Sequence, residues 1–272
     1  MKSASNPPIL PALACNHKFR LGIPSYVLPA DILPNVKAFA PYVDDFELTL
    51  FESESSSLPS PETVAQLAQL ANDNELSYTV HFPLDRQLGS ELFAERMAMH
   101  KSIMAIMRLM RPLKPFAWIL HLEGIPPQAN ARERQAWSKL IAELLPDIIA
   151  QAENPGLICV ENLLYPFEWC AELIESFKLG VCIDIGHLLL LGKDVSLHLR
   201  RFLPRTRIVH LHGTGGGKPH RALEAISPAD LKRYLADMAD FRGVLTLELF
   251  NLPDISASIR HLDRCMAMPD CS

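Results

Sequence analysis

Seven acidic or histidine side chains stand at or just after the ends of short apolar segments along this chain. Imidazoles and carboxylates are the ligands that zinc and manganese prefer in proteins. If the segments are parallel strands of a closed barrel, their carboxyl ends meet around one small mouth. The sequence therefore predicts a metal site at that mouth, and its candidate ligands are His81, His121, Glu161, Asp184, His187, His210 and Glu248.

The segment Asp-Ile-Gly-His at 184–187 is the sharpest local pattern. Asp184 ends an apolar segment, Gly186 permits a tight turn, and His187 returns to the same mouth. The alternative is that Asp184 caps a helix and His187 covers its first turn. Glu161 and Glu248 also end apolar segments, where an unpaired carboxylate costs several kcal/mol. Either metal ions or arginines could compensate them, and two such glutamates on different strands favour metal.

Four histidines at strand ends need a closer look, and only His212 is new to the set. His210 and His212 alternate in one segment, so both point to the same side of a strand; either could be a metal ligand, with the other as a substrate contact or a support behind the ligand. His81 and His121 each end a strand, where a histidine with a purely structural role is the alternative. Their coincidence with the other ligands favours the metal site.

A glycine-rich polar loop at 213–221 follows the seventh strand. Lys218 and Arg221 in this loop are candidates for binding a phosphate, and His220 for a further ligand or a substrate contact. The alternative is a mobile loop with solvated charges. Glu47 and Glu52 are assigned to the second strand; Glu52, nearer its carboxyl end, is the candidate for substrate binding, and an ion pair with a helix is the alternative for either.

Strand-like and helix-like segments alternate eight times. This predicts a single-domain (β/α)₈ TIM barrel over 19–272, preceded by a flexible, disordered N-terminal tail over 1–18. An open doubly wound sheet is the alternative, but the first turn near Gly22 lacks its glycine-rich pattern. The predicted strands are 19–25, 45–51, 77–82, 117–122, 157–160, 181–183, 207–211 and 244–249. The predicted helices are 31–40, 61–72, 90–110, 130–153 with a kink at Pro146, 166–177, 188–202, 227–240 and 254–266.

The composition limits the classes of function. The 272 residues carry a formal net charge of −5, which argues against a DNA-binding protein. The six cysteines include no C-x-x-C pair, which favours free thiols in a reducing cytoplasm. The first 18 residues lack the apolar region of a signal peptide, and no segment is apolar over the length of a membrane span. We expect a cytoplasmic protein that does not bind membranes.

These residues resemble the xylose isomerase-like barrel superfamily, which includes endonuclease IV and sugar epimerases. The likeness runs from residue 19 to the last helix. Its shared core corresponds to Glu161, Asp184 with His187, His210 and Glu248, and in the epimerases holds one divalent metal. His81, His121 and His220 match the extra ligands of endonuclease IV, but Lys218 replaces a carboxylate. The resemblance implies two metal ions, zinc or manganese, rather than three.

The N-terminal part is most similar to the cobamide-remodelling phosphodiesterases of this superfamily. The likeness is carried by Arg20-Leu21-Gly22, Tyr26, the segment 29–36, Glu47-Leu48 and Phe51-Glu52. It implies metal-dependent hydrolysis in the nucleotide loop of a cobamide, a small-molecule corrinoid substrate, so that the lower ligand can be exchanged. Glu161 would bridge the metals and Glu248 would bind metal and orient or deprotonate the attacking water. Alternatives are a single-metal sugar isomerase or epimerase, an abasic-site endonuclease, and a barrel that binds its ligand without turnover.

Overall fold

The structure is a computed structural model that describes residues 10–15 and 17–268. Of the predicted tail, residues 1–9 and Asn16 lie outside the described part. The remainder lies against the barrel, because Leu10 is buried and the backbone N–H groups of Ala14 and Cys15 both donate to Asp263 Oδ1, each at 2.9 Å.

Eight parallel strands close into a barrel, as the alternation of segments predicted. The last barrel strand pairs with the first, through Arg20–Val244 to Gly22–Thr246, which excludes the open sheet. The order around the barrel is β1-β10-β7-β6-β5-β4-β3-β2. The strands are β1 (Arg20–Pro24), β2 (Asp45–Thr49), β3 (Ser77–His81), β4 (Ala117–Leu120), β5 (Ile158–Glu161), β6 (Gly180–Asp184), β7 (Thr206–Leu211) and β10 (Val244–Leu247), with β8 (Gly213–Gly215) and β9 (Lys218–Arg221) forming a separate hairpin.

Helices surround the barrel. They are α1 (Ile32–Phe39), α2 (Pro61–Asn74), α3 (Phe93–Met110), α4 (Ala131–Ala142), α5 (Leu145–Gln151), α6 (Ala171–Phe177), α7 (Ile185–Leu190), α8 (Val195–Phe202), α9 (Pro228–Asp237) and α10 (Leu252–Ala267). Local signals start several of them: α2 begins with Pro61 in its first turn, and the Ser60 hydroxyl accepts from the Thr63 N–H. None of the helices in the described part of the chain combines the length and apolar character of a membrane span.

Alternate side chains of a strand point to opposite faces, and this alternation decides which side chains reach the barrel interior. In β2, Phe46 and Leu48 join the large apolar core between barrel and helices. Asp45, Glu47 and Thr49 take the opposite direction, into the barrel. This strand thus uses its apolar residues for helix packing, each worth about 1.5–3 kcal/mol when fully buried, and keeps its polar residues for the interior.

Three predicted elements differ from those observed. The predicted helix over 130–153 is two helices, because α4 ends at Ala142 and Pro146 occupies the first turn of α5. The predicted helix over 188–202 is also two, α7 and α8, separated by a turn at Gly192 with φ +61°. The predicted glycine-rich loop over 213–221 is the antiparallel hairpin β8–β9.

The five cysteines in the described part of the chain are free thiols, namely Cys15, Cys159, Cys170, Cys182 and Cys265. Cys271 lies outside the described residues. Cys159 and Cys182 are completely buried inside the barrel. Burial raises the pKa of both thiols, so they stay protonated.

Candidate metal centre

The barrel mouth brings together the side chains that the sequence singled out. They lie at or near the carboxyl ends of barrel strands, or in the helix and hairpin that follow them, although they are spread over much of the chain. We call this set the cluster; it consists of His81, His121, Glu161, Asp184, His187, His210, His212, His220 and Glu248, and Glu47 contacts it from inside the barrel.

Glu161 lies at the centre of the cluster. Its Oε2 atom is 3.4 Å from His81 Nε2 and 3.1 Å from His121 Nε2. Its Oε1 atom is 3.5 Å from His187 Nδ1 and 3.6 Å from His210 Nδ1. The two oxygens of one carboxylate therefore face two different sets of imidazoles.

Asp184 both caps a helix and belongs to the cluster. Its Oδ1 accepts from the backbone N–H of His187 at 2.7 Å, which begins α7, while its Oδ2 lies 3.0 Å from His187 Nδ1. Asn162 fixes this turn: its side-chain amide donates to the Asp184 carbonyl at 2.9 Å and accepts from the Asp184 N–H at 2.7 Å. Asn162 was not among the predicted site residues, although its position directly after Glu161 was the available signal.

His210 is held from behind by Glu47, which is completely buried. His210 Nε2 donates to Glu47 Oε2 at 2.7 Å, and Nδ1 lies 3.4 Å from Glu248 Oε2. Neither His210 Nδ1 nor Glu248 Oε2 has a hydrogen-bond partner among the described residues. A buried cation between them would satisfy both atoms, because each offers an electron pair.

His212 and His220 complete the side of the cluster next to the hairpin. The backbone N–H of His220 donates to His212 Nδ1 at 3.0 Å, so His212 Nε2 carries the proton of the neutral ring and faces Asp184 at 3.3 Å. His220 Nδ1 lies 3.6 Å from Glu248 Oε2. The ring of His212 packs on Gly186, where an added Cβ would lie 1.9 Å from His212 Cε1. Gly186 is thus required by this close approach rather than by a tight turn, since its φ is not positive.

Three predicted substrate contacts lie elsewhere than expected. Glu52 is not on the second strand, which ends at Thr49; it is exposed, and Ser57 Oγ donates to its Oε2 at 2.6 Å. The carboxylates of β2 that point into the barrel are Asp45 and Glu47, and Glu47 is the one that contacts the cluster. Lys218 and Arg221 are exposed on β9, and the side chain of neither forms a hydrogen bond or ion pair with another described residue.

The buried carboxylates are balanced by imidazoles alone. Within the described residues, no Lys or Arg forms an ion pair with Glu47, Glu161, Asp184 or Glu248. Burial raises the pKa of Glu248 to about 8, aided by the neighbouring carboxylates and opposed by His210. Burial would also raise the pKa of Glu161, but His121 and His210 outweigh it and hold that pKa well below its usual range.

The imidazoles respond in the opposite sense. Burial lowers the pKa of His121, but Glu161 and Glu123 outweigh it and raise that pKa to about 10. Likewise Asp184 and Glu161 outweigh burial at His187 and raise its pKa to about 9. At His220, burial and the neighbouring His212 lower the pKa to about 4. Protons on the imidazoles thus supply the positive charge that the carboxylates require.

The donor set fits divalent metal ions of the zinc or manganese type. One possible group takes His81, His121 and Glu161, and a second takes Glu161, Asp184 and His187. The remaining groups are His212, His220 and Glu248; Asp184, His210 and Glu248; and Glu161, Cys182 and His210. The atoms of each group lie within 4.8 Å of one another. Cys182 is the weakest candidate, since burial keeps its thiol protonated.

Solved structures with the same fold include enzymes of different kinds. A D-tagatose 3-epimerase-like protein is 20% identical with a TM-score of 0.74, over 91% of this chain and 97% of that one. Endonuclease IV from Thermus thermophilus is 20% identical with a TM-score of 0.70, over 91% and 98%. The IOLI protein, solved with a bound zinc atom, is 13% identical with a TM-score of 0.68, over 91% and 96%. At these identities the likeness shows the fold alone.

The sequence itself identifies the family. No curated protein matches it significantly. The family model described as the xylose isomerase-like TIM barrel matches residues 43–265, which includes every member of the cluster. The chain therefore belongs to the xylose isomerase-like TIM barrel family.

Proposed function

We propose that this protein is a metal-dependent phosphodiester hydrolase with two divalent ions, zinc or manganese, and that its substrate is the nucleotide loop of a cobamide. The observation that carries the proposal is the division of Glu161, whose Oε2 faces His81 and His121 while its Oε1 faces His187 and His210. A carboxylate shared in this way suits two neighbouring ions. The cobamide itself rests on the N-terminal resemblance.

Each part of the cluster has a proposed role. His81 and His121 would hold one ion with Glu161. Asp184, His187, His210 and Glu248 would hold the second, and His220 lies beside Glu248 as a further ligand. Bound there, the ions would supply an activated water and offset charge on the phosphate. His212 Nε2 carries a proton that it can donate toward the phosphate oxygens.

Glu248 is the proposed general base. Its Oε2 atom is buried, lacks a hydrogen-bond partner among the described residues and would face the ion beside His210 Nδ1, so its other carboxylate oxygen, Oε1, would accept the proton. Hydrolysis breaks one P–O bond of the diester, and the oxygen of water forms the new one. The proton that Glu248 accepts from this water then passes to the leaving oxygen, which departs as an alcohol. Lys218 and Arg221 remain candidates for phosphate binding only if β9 turns them toward the mouth.

Substitution of Glu248 tests this function directly. We expect Glu248→Gln to reduce turnover by at least about a hundredfold, because the amide cannot take a proton, while the circular dichroism spectrum stays unchanged. Mass spectrometry of products from an adenosylated cobamide, incubated with metal-loaded protein, measures the reaction. The exposed Glu143 provides a charge-matched control, Glu143→Gln, which should keep full activity. Full activity of Glu248→Gln would contradict the assignment.

A single-metal sugar epimerase is the second candidate. The grouping of Asp184, His210 and Glu248 within 4.8 Å favours it, because these residues with Glu161 correspond to the four-ligand core of the epimerases. In that case His81 and His121 have no role in metal binding. Metal analysis separates the two: two zinc-like ions per chain support the hydrolase, and one ion supports the epimerase. Cleavage of a duplex with an abasic site would instead favour an endonuclease.

A further inference from the structure

Three aromatic rings line one side of the barrel mouth. Tyr26, Phe51 and Phe250 follow the carboxyl ends of β1, β2 and β10, which are neighbours in the barrel. The ring centroids of Tyr26 and Phe51 are 5.3 Å apart, and those of Phe51 and Phe250 are 6.0 Å apart. We call these three rings the aromatic wall. Phe51 is 45% exposed, so the wall presents a free ring to the solvent at the mouth.

The aromatic wall borders the cluster. The ring of Phe250 meets the ring of His220 edge to face, with centroids 5.3 Å apart. His220 in turn lies 3.6 Å from Glu248 through its Nδ1 atom. A group that leaves the reacting phosphate on this side therefore meets aromatic rings first.

A cavity of about 590 Å³ opens on another side of the cluster. His121 and His187 form its wall next to the cluster, and Ile125, Leu163 and Leu164 contribute apolar surface. Leu164 is 53% exposed and is free to contact a ligand. The volume suits a large group rather than a single small sugar, because ligand pockets of this size enclose drug-sized molecules.

The wall and the cavity face each other across the mouth. In the closed order of eight strands, β1 is opposite β5 and β10 is opposite β4. The wall follows β1, β2 and β10, whereas the cavity residues follow β4, β5 and β6. The cluster lies between them, so a phosphate bound there has one substituent directed to each side.

We infer that the substrate is a phosphodiester with two large arms, of which one ends in a flat aromatic ring that stacks on the aromatic wall. The other arm is bulky and largely apolar and occupies the cavity. This inference rests on the proposed function and adds two binding subsites to it, one for each arm of the substrate. Aromatic side chains bind flat rings through their faces and tolerate many ring structures, so the wall selects for a ring rather than for one particular base.

Binding of two phosphate monoesters tests the aromatic wall. Adenosine 5′-monophosphate and ribose 5-phosphate share sugar and phosphate and differ only in the aromatic base. We expect the metal-loaded protein to bind the nucleotide at least tenfold more tightly in calorimetric titrations, since stacking on one side chain contributes at least this factor. Phe51→Ala should reduce this ratio to near one and leave the affinity for ribose 5-phosphate unchanged.

The control removes an equally exposed apolar side chain on a helix outside the barrel. Leu197 on α8 is 55% exposed, and Leu197→Ala should preserve the tenfold ratio. Equal affinity of the unaltered protein for both monoesters would overturn the inference, as would an unchanged ratio in Phe51→Ala. If the protein hydrolyses diesters without any preference for aromatic arms, this inference is wrong and the proposed function is still supported. An aromatic preference without hydrolysis of any diester sinks the proposed function and leaves the aromatic site.

The cavity is tested with the 4-nitrophenyl ester of thymidine 5′-monophosphate, a diester with two ring-bearing arms. Leu164→Ser should raise the KM of this diester severalfold while the affinity for adenosine 5′-monophosphate, which has one arm, stays the same. Leu197→Ser is the matched control and should change neither quantity. An unchanged KM in Leu164→Ser would show that the second arm does not use the cavity.

Discussion

Glu47 and His210 form the pair of residues that best explains how an imidazole is aimed at the cluster. A carboxylate accepts hydrogen bonds, so the proton between them belongs to His210 Nε2, and Nδ1 is left as the nitrogen that a metal ion would bind. Nδ1 is the atom that faces Glu161 and Glu248. A carboxylate behind a histidine fixes the ring and its tautomer in many metal sites.

Glu47 should therefore contribute to metal affinity without touching the metal. We expect Glu47→Gln to weaken zinc binding about 10- to 100-fold, because the neutral amide accepts the His210 proton less strongly. Competition with a chromophoric chelator measures the affinity. Glu143→Gln removes a charge from an exposed position and should leave the affinity unchanged. Equal affinities of Glu47→Gln and the unaltered protein would show that Glu47 does not position His210.

Some members of the cluster can be predicted from the sequence and others cannot, for a physical reason. A histidine or carboxylate at the end of an apolar strand is visible as a break in local polarity, as at Glu161 and His121. Glu47 lies in the middle of a strand, and its partner is 163 positions away. The alternation of β2 shows that Asp45, Glu47 and Thr49 share a face, but only the closed barrel shows which partner that face meets.

At the scale of elements, the hairpin β8–β9 positions His220 in the cluster. Its two-residue turn is formed by Gly216 and Gly217, with φ of +60° and +73°, the left-handed region that other L-residues adopt at a cost. His220 itself has φ +53°. Among the described residues, the hairpin pairs with no barrel strand, so its geometry depends on this turn.

Substitutions in this turn should change the position of His220 without unfolding the barrel. Replacing both glycines by alanine forces two L-residues into the left-handed region, at about 1–2 kcal/mol each. We expect the hairpin to open, His220 to leave Glu248 and turnover to fall about tenfold, with the midpoint of thermal unfolding little changed. Gly216→Asn keeps an Asn-Gly turn, which tolerates these dihedral angles, and should retain activity. Normal turnover in the double alanine variant would mean that the hairpin does not position His220.

Element types followed from the sequence more securely than element ends. The predicted strands were confirmed because each apolar segment is short and bounded. The predicted helix over 130–153 failed at 143–144, where α4 stops and Pro146 suits a first turn better than a helix interior. The hairpin was not predicted because a glycine-rich segment is equally compatible with a mobile loop and with a tight turn.

At the scale of the molecule, the barrel interior is divided into two halves. Ala117, Ile119, Cys159, Cys182, Ile208 and Val244 make the side formed mainly by β4 to β7 apolar. On the side of β10, β2 and β3, Thr246, Asp45, Glu47 and Thr79 each keep a buried oxygen without a hydrogen-bond partner among the described residues. The alternation of strands and helices in the sequence did not by itself distinguish a closed barrel from an open sheet. The count of eight strands favoured a closed barrel, and the pairing of β1 with β10 confirms it.

Asp45 makes the polar half of the interior sensitive to pH. It is completely buried, and burial raises its pKa from 3.8 to about 6, against the opposing effects of Ser77 and Arg20. The folded state therefore prefers the neutral acid. This preference costs nothing below pH 4, where the unfolded chain is also protonated. Stability is lost as the pH rises through 6, by about 3 kcal/mol once Asp45 is ionised in both states.

Asp45→Asn should remove this dependence, because asparagine stays neutral at every pH. In urea unfolding with a chelator present, we expect the free energy of unfolding of the variant, relative to the unaltered protein, to rise by about 2 kcal/mol between pH 4 and pH 7, because the unfolded chain is already partly ionised at pH 4. Asp73→Asn alters an exposed carboxylate on α2 and should give a nearly constant difference over the same range. A constant difference for Asp45→Asn would mean that Asp45 is ionised in the folded protein throughout, with its charge compensated inside the barrel.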